Sequence, residues 1–445
     1  MRKIISLVVS VVFVLSCSLD IEPISEFSAS GFYKTADDAR AGVYGIYNAA
    51  QSAFGRNLAF WGEGRADAVD TRHSGDPRML LNNTLNKDMR SANWTGLYQI
   101  ISRANYAVKY VPEVLSDEGL GATLMGQARG LRAMAYFYAV RIWGDVPLVL
   151  EPFEGTEQEI FVRRTDQETV LAQVEQDLLY ASRNAPTGGE KTLFTSGAAY
   201  ALLTHLYMWQ HDYGKASSYA DTVMADASYT LVSIDDWNKI FTNGNSRESI
   251  FEIGYNEDQT NMLRVLYALG SDSDYFPSET FMNTFENGDL RQDLIYDVTR
   301  AFPRMIWKFF GKGFNDEDPS PSTHNIVMLR LADIVLLKAE ALLHLGDTPG
   351  ALELLNRIRS RAALPDLDEN TAVDLYGDIE SAILHERLVE LSYEGYRWFD
   401  LVRTGKAIPK MNPKNGLAEE DNLVWPISGD AINRNPSLVQ NEYYK

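Results

Sequence analysis

Two segments decide how this chain folds: AAYALLTHLYMWQHDYGKASSYADTVMADA, residues 198–227, and ADIVLLKAEALLHLGDTPGALELLNRIRSRA, residues 332–362. Superposing Ala216 on Ala351 also sets Asp212 on Asp347 and Tyr207 on Leu342. Each copy reads as a helix, a tight turn at aspartate, a small alanine on the facing helix, and more helix. Small residues at such positions let paired helices approach closely.

The pattern is tetratricopeptide-like, but the copies are degenerate and far apart, so it predicts a helical scaffold with long insertions instead of a regular solenoid. Helical spacing of apolar residues recurs over Ala36–Ser52, Trp94–Val111 and Leu124–Trp143, the last ended by Gly144 and Pro147. Thr165 and Glu168 open a further helix, to Ser182, with the spacing of a capping box. Between these stretches lie insertions at 54–90 and about 231–325, dense in Gly, Pro, Asp and Asn with interleaved aromatics. Ser249–Tyr255, SIFEIGY, alternates like a strand. The expected fold is therefore mainly α, a helix-hairpin scaffold over about 31–53, 91–230 and 326–405 with a little β. Insertions of such length are where function is expected.

The chain opens MRKIISLVVSVVFVLSCSLD. Arg2 and Lys3 precede an apolar run from Ile4 to Leu15, interrupted by Ser6 and Ser10; this is too short to span a bilayer and suits a signal peptide of residues 1–16. Cys17, the only cysteine in 445 residues, follows Val14, Leu15 and Ser16, where a bacterial lipoprotein signal peptidase would cut. Lipid attachment at Cys17 is expected, followed by an extended tether over 17–30 carrying Asp20, Glu22, Pro23 and Glu26. A body held at the membrane by acyl chains follows. Loss of residues 1–16 takes the net charge from −20 to −22, which argues against nucleic acid.

A second stretch, ILHERLVELSYEGYRWFDLVRTGKA, Ile383–Ala407, packs Glu386, Arg387, Glu390, Glu394, Arg397, Asp400 and Arg403 among apolar and aromatic residues. HERLV has the start of a zinc-protease helix, but Val389 stands where the second histidine is required. Glu386, Glu390 and Glu394 are spaced by one turn, and paired carboxylates can hydrolyse glycosides. Arg387 and Arg397 on the same stretch would keep them ionised, whereas a general acid needs the opposite. A structural role is expected. No phosphate loop, nucleophile elbow, metal set or cofactor motif is found.

Four segments resemble the SusD/RagB family of nutrient-binding outer-membrane lipoproteins. They are CSLDIEPISEF with FYKTADDARAGVYGIYNAA, then GQARGLRAMAYFYAVRIWGDVPLV, then the 383–407 stretch, and finally NLVWPISGDAINRNPSLVQN. Gln127 begins the second run, and Leu388 stands where a second arginine is common. The resemblance implies one SusD-like domain over 31–445. It implies no enzyme but a surface lipoprotein that binds glycan, or in some members peptide, and delivers it to a SusC-like TonB-dependent transporter. It also implies that 383–407 belongs to the shared fold, with acids and arginines tied to neighbours such as Arg129 or Arg132. An all-helical glycosidase and a protein-binding repeat scaffold are the rival classes. The family carries no fixed ligand motif, so ligand residues are read from the insertions. Phe60, Trp61, Arg65, Asp67 and His73 in the first, and Tyr275, Phe276, Arg304, Trp307 and Phe310 in the second, offer flat faces and planar polar groups for sugars. Trp61, Tyr275 and Trp307 would form one aromatic platform. Burial in the core is the competing expectation for each of the ten. Trp94, Tyr98, Trp143 and Trp398 are expected in the core.

Overall fold

The computed structural model describes residues 29–155, 157–317 and 320–445. Cys17, the signal peptide and nearly all of the tether lie outside them. The scaffold is a row of helices, each packed on the next: α1 (Ala36–Phe54), α2 (Thr95–Val114), α3 (Glu118–Trp143), α4 (Gln167–Asn184), α5 (Ser196–Trp209) and α6 (Tyr213–Met224). α6 then packs on α7 (Leu331–His344), which packs on α8 (Thr348–Arg361) and on α9 (Ile379–Glu390). The row thus runs on as if residues 225–330 were absent. The two hairpins read from the sequence are α5–α6 and α7–α8. Asp212 caps α6 by accepting from the Lys215 N–H, and Asp347 caps α8 by accepting from Gly350. The shared aspartate is an N-cap, which satisfies a backbone donor that the helix leaves orphaned. Ala216 and Ala351 are both fully buried, as close helix contact demands.

Two expectations need correction. The cap of α4 is Asp166, accepting from the Thr169 N–H, not a box made by Thr165 and Glu168. Ser249–Ile253 is a strand, but every residue of it is buried, so its apparent alternation does not mark an exposed face. It pairs antiparallel with Ile326–Arg330, and both strands run through the core.

The 383–407 stretch supplies α9 and a second helix, α10 (Arg397–Arg403), and its charges are interior. Glu390, fully buried, accepts from the Arg330 guanidinium at 2.7 Å and the Trp237 indole at 3.0 Å, and pairs with Arg361 at 2.6 Å and Arg291 at 3.1 Å. Glu394 accepts from Arg330 at 2.7 Å and from the Lys308 ammonium at 2.6 Å. Glu386 pairs with Arg291 and lies 3.7 Å from Arg359. Burial pushes the Glu390 carboxyl up, but Arg361, Arg330 and Arg291 outweigh it and hold it well below the usual carboxylate range. These carboxylates are sealed from solvent and paired with buried cations, so no substrate can reach them as a glycosidase pair. The partners also differ from expectation. Arg132 is taken by Asp177 at 2.8 Å, and Arg129 stacks over Tyr180. The arginines that answer the signature come from the second insertion, the strand at its end and α8.

Replacing Glu390 by alanine leaves Arg330, Arg361 and Arg291 short of a counter-charge in a dry interior, which costs about 3–5 kcal/mol. A large fall in melting temperature by calorimetry is the expected outcome; a drop of a degree or less would show the network to be dispensable.

Candidate ligand-binding cleft

The first insertion does not make a free face. Its start is a short helix, Asn57–Gly62, with every residue from Leu58 to Gly62 buried. Trp61 lies edge-on to Phe54 and Trp143, and its indole donates to the Ser91 carbonyl at 3.0 Å. Phe60 packs edge-on to Tyr275, which is itself fully buried. A side chain at Gly62 would sit 2.0 Å from the Gly395 carbonyl oxygen, so only glycine lets the insertion lie against the turn between α9 and α10. Arg65 donates to the Asn422 and Leu423 carbonyls and lies over the Trp398 ring. Asp67 receives both guanidinium arms of Arg397, at 2.7 and 2.9 Å. Burial pushes the Asp67 carboxyl up, but Arg397 more than offsets it and leaves it well below the usual range. Glu63 accepts from the Gly395 N–H; with no cation in contact, burial raises it to about 8.

The three aromatics expected to form a platform are therefore core residues. Trp61 and Tyr275 are 1% and 0% exposed, and Trp307 packs on Ala268 and Met305 with its indole donating to the Asp293 carbonyl. Phe60, Arg65, Asp67 and Phe276 are buried as well. Each sits where its ring or charge completes the interior, so none can stack on a ligand. Phe310 is half-buried against Phe314 and His324.

The two insertions do meet, as the platform required, but through a strand pair and buried contacts. Val69–Asp70 pairs antiparallel with Phe276–Pro277. Thr71 donates to the Asp274 carbonyl, Ser278 donates to the Asp67 carbonyl, and the His73 ring contacts the Asp272 carbonyl at 3.0 Å. Above this seam stands Phe302, 52% exposed. The buried Phe276 ring meets it edge-on at 4.8 Å, and the Arg72 guanidinium lies 5.2 Å from its centroid. Phe302 borders a cleft of about 910 Å³ whose walls include Glu279, Asn283, Gln292, Asp293, Tyr296 and Arg304. Gln292 donates to the Tyr296 hydroxyl at 2.9 Å, and Arg304 donates to the Val298 carbonyl at 2.6 Å. Asp289, also on the wall, is held by Arg291, whose other arm reaches Glu390 in the interior.

Of the ten residues proposed from sequence, Arg304 lines this cleft, and Phe276 supports it from beneath. Phe302 was missed. Its signal was weak: in TRAFPR it stands between Ala301 and Pro303 with arginines, Arg300 and Arg304, at both strand-spaced positions. Trp307, in MIWKFF, sits in an apolar run broken only by Lys308. An exposed ring bordering a cleft of carboxylates, amides and a guanidinium suits a polyhydroxylated ligand: the ring takes a C–H face and the planar groups take hydroxyls.

A helix-hairpin row with long insertions is the architecture expected from the sequence. The family model described as "SusD family" matches residues 190–444, and one described as "Starch-binding associating with outer membrane" matches 44–208. A SusD-like protein of Formosa agariphila is 30% identical over 96% of this chain and 95% of its own length. A SusD superfamily structure from Bacteroides thetaiotaomicron is 28% identical, covers 93% of this chain and 99% of that one, and superposes with a TM-score of 0.79. A structure described as a laminarin-binding SusD-like protein is 26% identical over 93% of this chain and 100% of that one, with a TM-score of 0.80. The chain belongs to the SusD family.

Burial separates the two kinds of aromatic by experiment. Trp61→Ala should lower stability by about 3–5 kcal/mol, as emptied aromatic core sites do. Phe302→Ala should leave the denaturation midpoint within about 0.5 kcal/mol of the parent. Equal effects would contradict the assignment of Phe302 to the surface.

Proposed function

We propose that this protein is a cell-surface lipoprotein that binds a glycan in the Phe302 cleft and delivers it to a SusC-like TonB-dependent outer-membrane transporter. The observation that carries the reading is the Phe302 ring, exposed yet fixed from behind by Phe276 and flanked by Arg72, at the edge of a cleft of about 910 Å³. A ring held in place before the ligand arrives loses little entropy on binding. The laminarin-binding relative and the starch-binding description of the matched family model support a sugar as the ligand. The other polar groups of the wall, Gln292, Asn283 and Glu279, supply donors and acceptors for hydroxyls in different orientations. The anchor in this reading is the lipid on Cys17, outside the described residues. No helix among those residues is long and apolar enough to cross a membrane.

Calorimetry with an oligosaccharide panel tests the binding. A stacked ring contributes on the order of 1–1.5 kcal/mol, so Phe302→Ala should weaken binding roughly tenfold without unfolding the protein. Wild-type affinity in that variant would move the site elsewhere, and absence of binding across the panel would overturn the glycan reading. The anchor is tested separately: Cys17→Ala protein should leave the membrane fraction when produced without its transporter. Sedimentation with membranes would refute lipidation.

A further inference from the structure

The Phe302 cleft is bounded on one side by the segment 279–284: Glu279, Met282 and Asn283 face it. Thr284, the next residue, lines a second cavity of about 340 Å³. This cavity lies among the helices 369–376, α9, α10 and Ala407–Asn415. Its floor is apolar, with Leu384, Leu388 and Leu401 all buried. Its charged lining consists of Arg397, Lys406 and Lys410, with no aspartate or glutamate, on a chain whose net charge is −20.

The nearby carboxylates leave room for another anion. Asp67 is buried behind Arg397, which takes both its oxygens at 2.7 and 2.9 Å. Lys410 approaches the same carboxylate only to 3.7 Å, and its side chain is 47% exposed. Lys406 lies 3.0 Å from Glu380, which it shares with His344 at 3.2 Å; Asp378 is near it as well. Lys414, one turn beyond Lys410, donates to Thr280 on the dividing segment at 3.0 Å and feels Asp67 and Asp70. His385 contacts Thr284 at 3.3 Å, and burial lowers it to about 4, so it is neutral at pH 7 and offers hydrogen bonding without charge. Lys410 thus stands 3.7 Å from a carboxylate already held by Arg397, and Lys406 shares Glu380 with the His344 ring.

We infer that the second cavity receives an oxyanion, a carboxylate or a sulfate ester, carried by the same glycan chain that lies in the Phe302 cleft. The inference rests on the glycan reading and narrows it to an acidic polysaccharide. Lysines suit the task, since an ammonium on a flexible stem follows an anion without demanding one geometry.

The experiment compares oligosaccharides of matched length by calorimetry at low salt: neutral laminarin, uronate-bearing alginate and sulfated carrageenan. The expected result is at least about tenfold tighter binding of one acidic ladder than of the neutral one, fading as salt rises. Lys406→Gln/Lys410→Gln should erase the difference between ladders. Preference for alginate identifies a carboxylate and preference for carrageenan a sulfate. If neutral chains bind as tightly as acidic ones, or if the double variant keeps the preference, the inference fails while the glycan reading stands. If no ladder binds, both fail.

Discussion

Everything in this molecule leans on the Arg330 guanidinium. It stands at the end of a buried strand and reaches Glu248, Glu390 and Glu394, each at 2.7 Å. Those acids come from the residue just before the other strand, from α9 and from the turn beyond it, so one side chain joins the start of that strand to the C-terminal helices. Desolvating this many charges is costly, and only mutual saturation makes it tolerable. Lys308 and Arg291, from the second insertion, complete the set by reaching Glu394 and Glu390. The insertion is therefore not draped over a finished scaffold; the scaffold's interior is neutralised by it.

That dependence explains how a loop-built cleft holds its shape. Asp289 on the cleft wall is gripped by Arg291, and Arg291 is gripped by Glu390. Phe302 is backed by Phe276, whose strand pairs with the first insertion, and that insertion is locked by Arg397 on Asp67 and by the contact of Gly62 with Gly395. Each wall of the cleft is thus two or three contacts from a buried ion pair. Sites set on rigid support spend less binding free energy on ordering themselves.

The helices were legible in the sequence because their apolar spacing and caps are local. Asp212 and Asp347 announced the two hairpins from single residues. The structural part of the 383–407 stretch was also legible, since arginines among glutamates argue for pairing. The identity of their partners was not: Arg330 and Arg291 are distant in sequence and carry no periodic mark. The ligand face failed for a related reason. Trp61 is followed by GEGRAD and Tyr275 preceded by SDSD, which reads as surface, but the chain there threads through the interior between elements that sequence spacing does not relate. Composition reports what a stretch contains; burial depends on what closes over it.

The row of helices continues from α6 directly onto α7, so residues 225–330 leave and re-enter the scaffold at neighbouring points. Such a segment is a cassette by geometry. Lengthening it costs only loop-closure entropy, roughly 0.6 kcal/mol per doubling, which leaves ligand surfaces free to diversify on a constant frame. The cassette is keyed, however. A replacement must return cations where Lys308 and Arg291 stand and an acid where Glu248 stands, or the frame is left with bare charges in its centre. Grafting a foreign ligand face onto this scaffold is therefore a problem of carrying Arg330 and these three buried side chains across, while the exposed residues can be chosen freely.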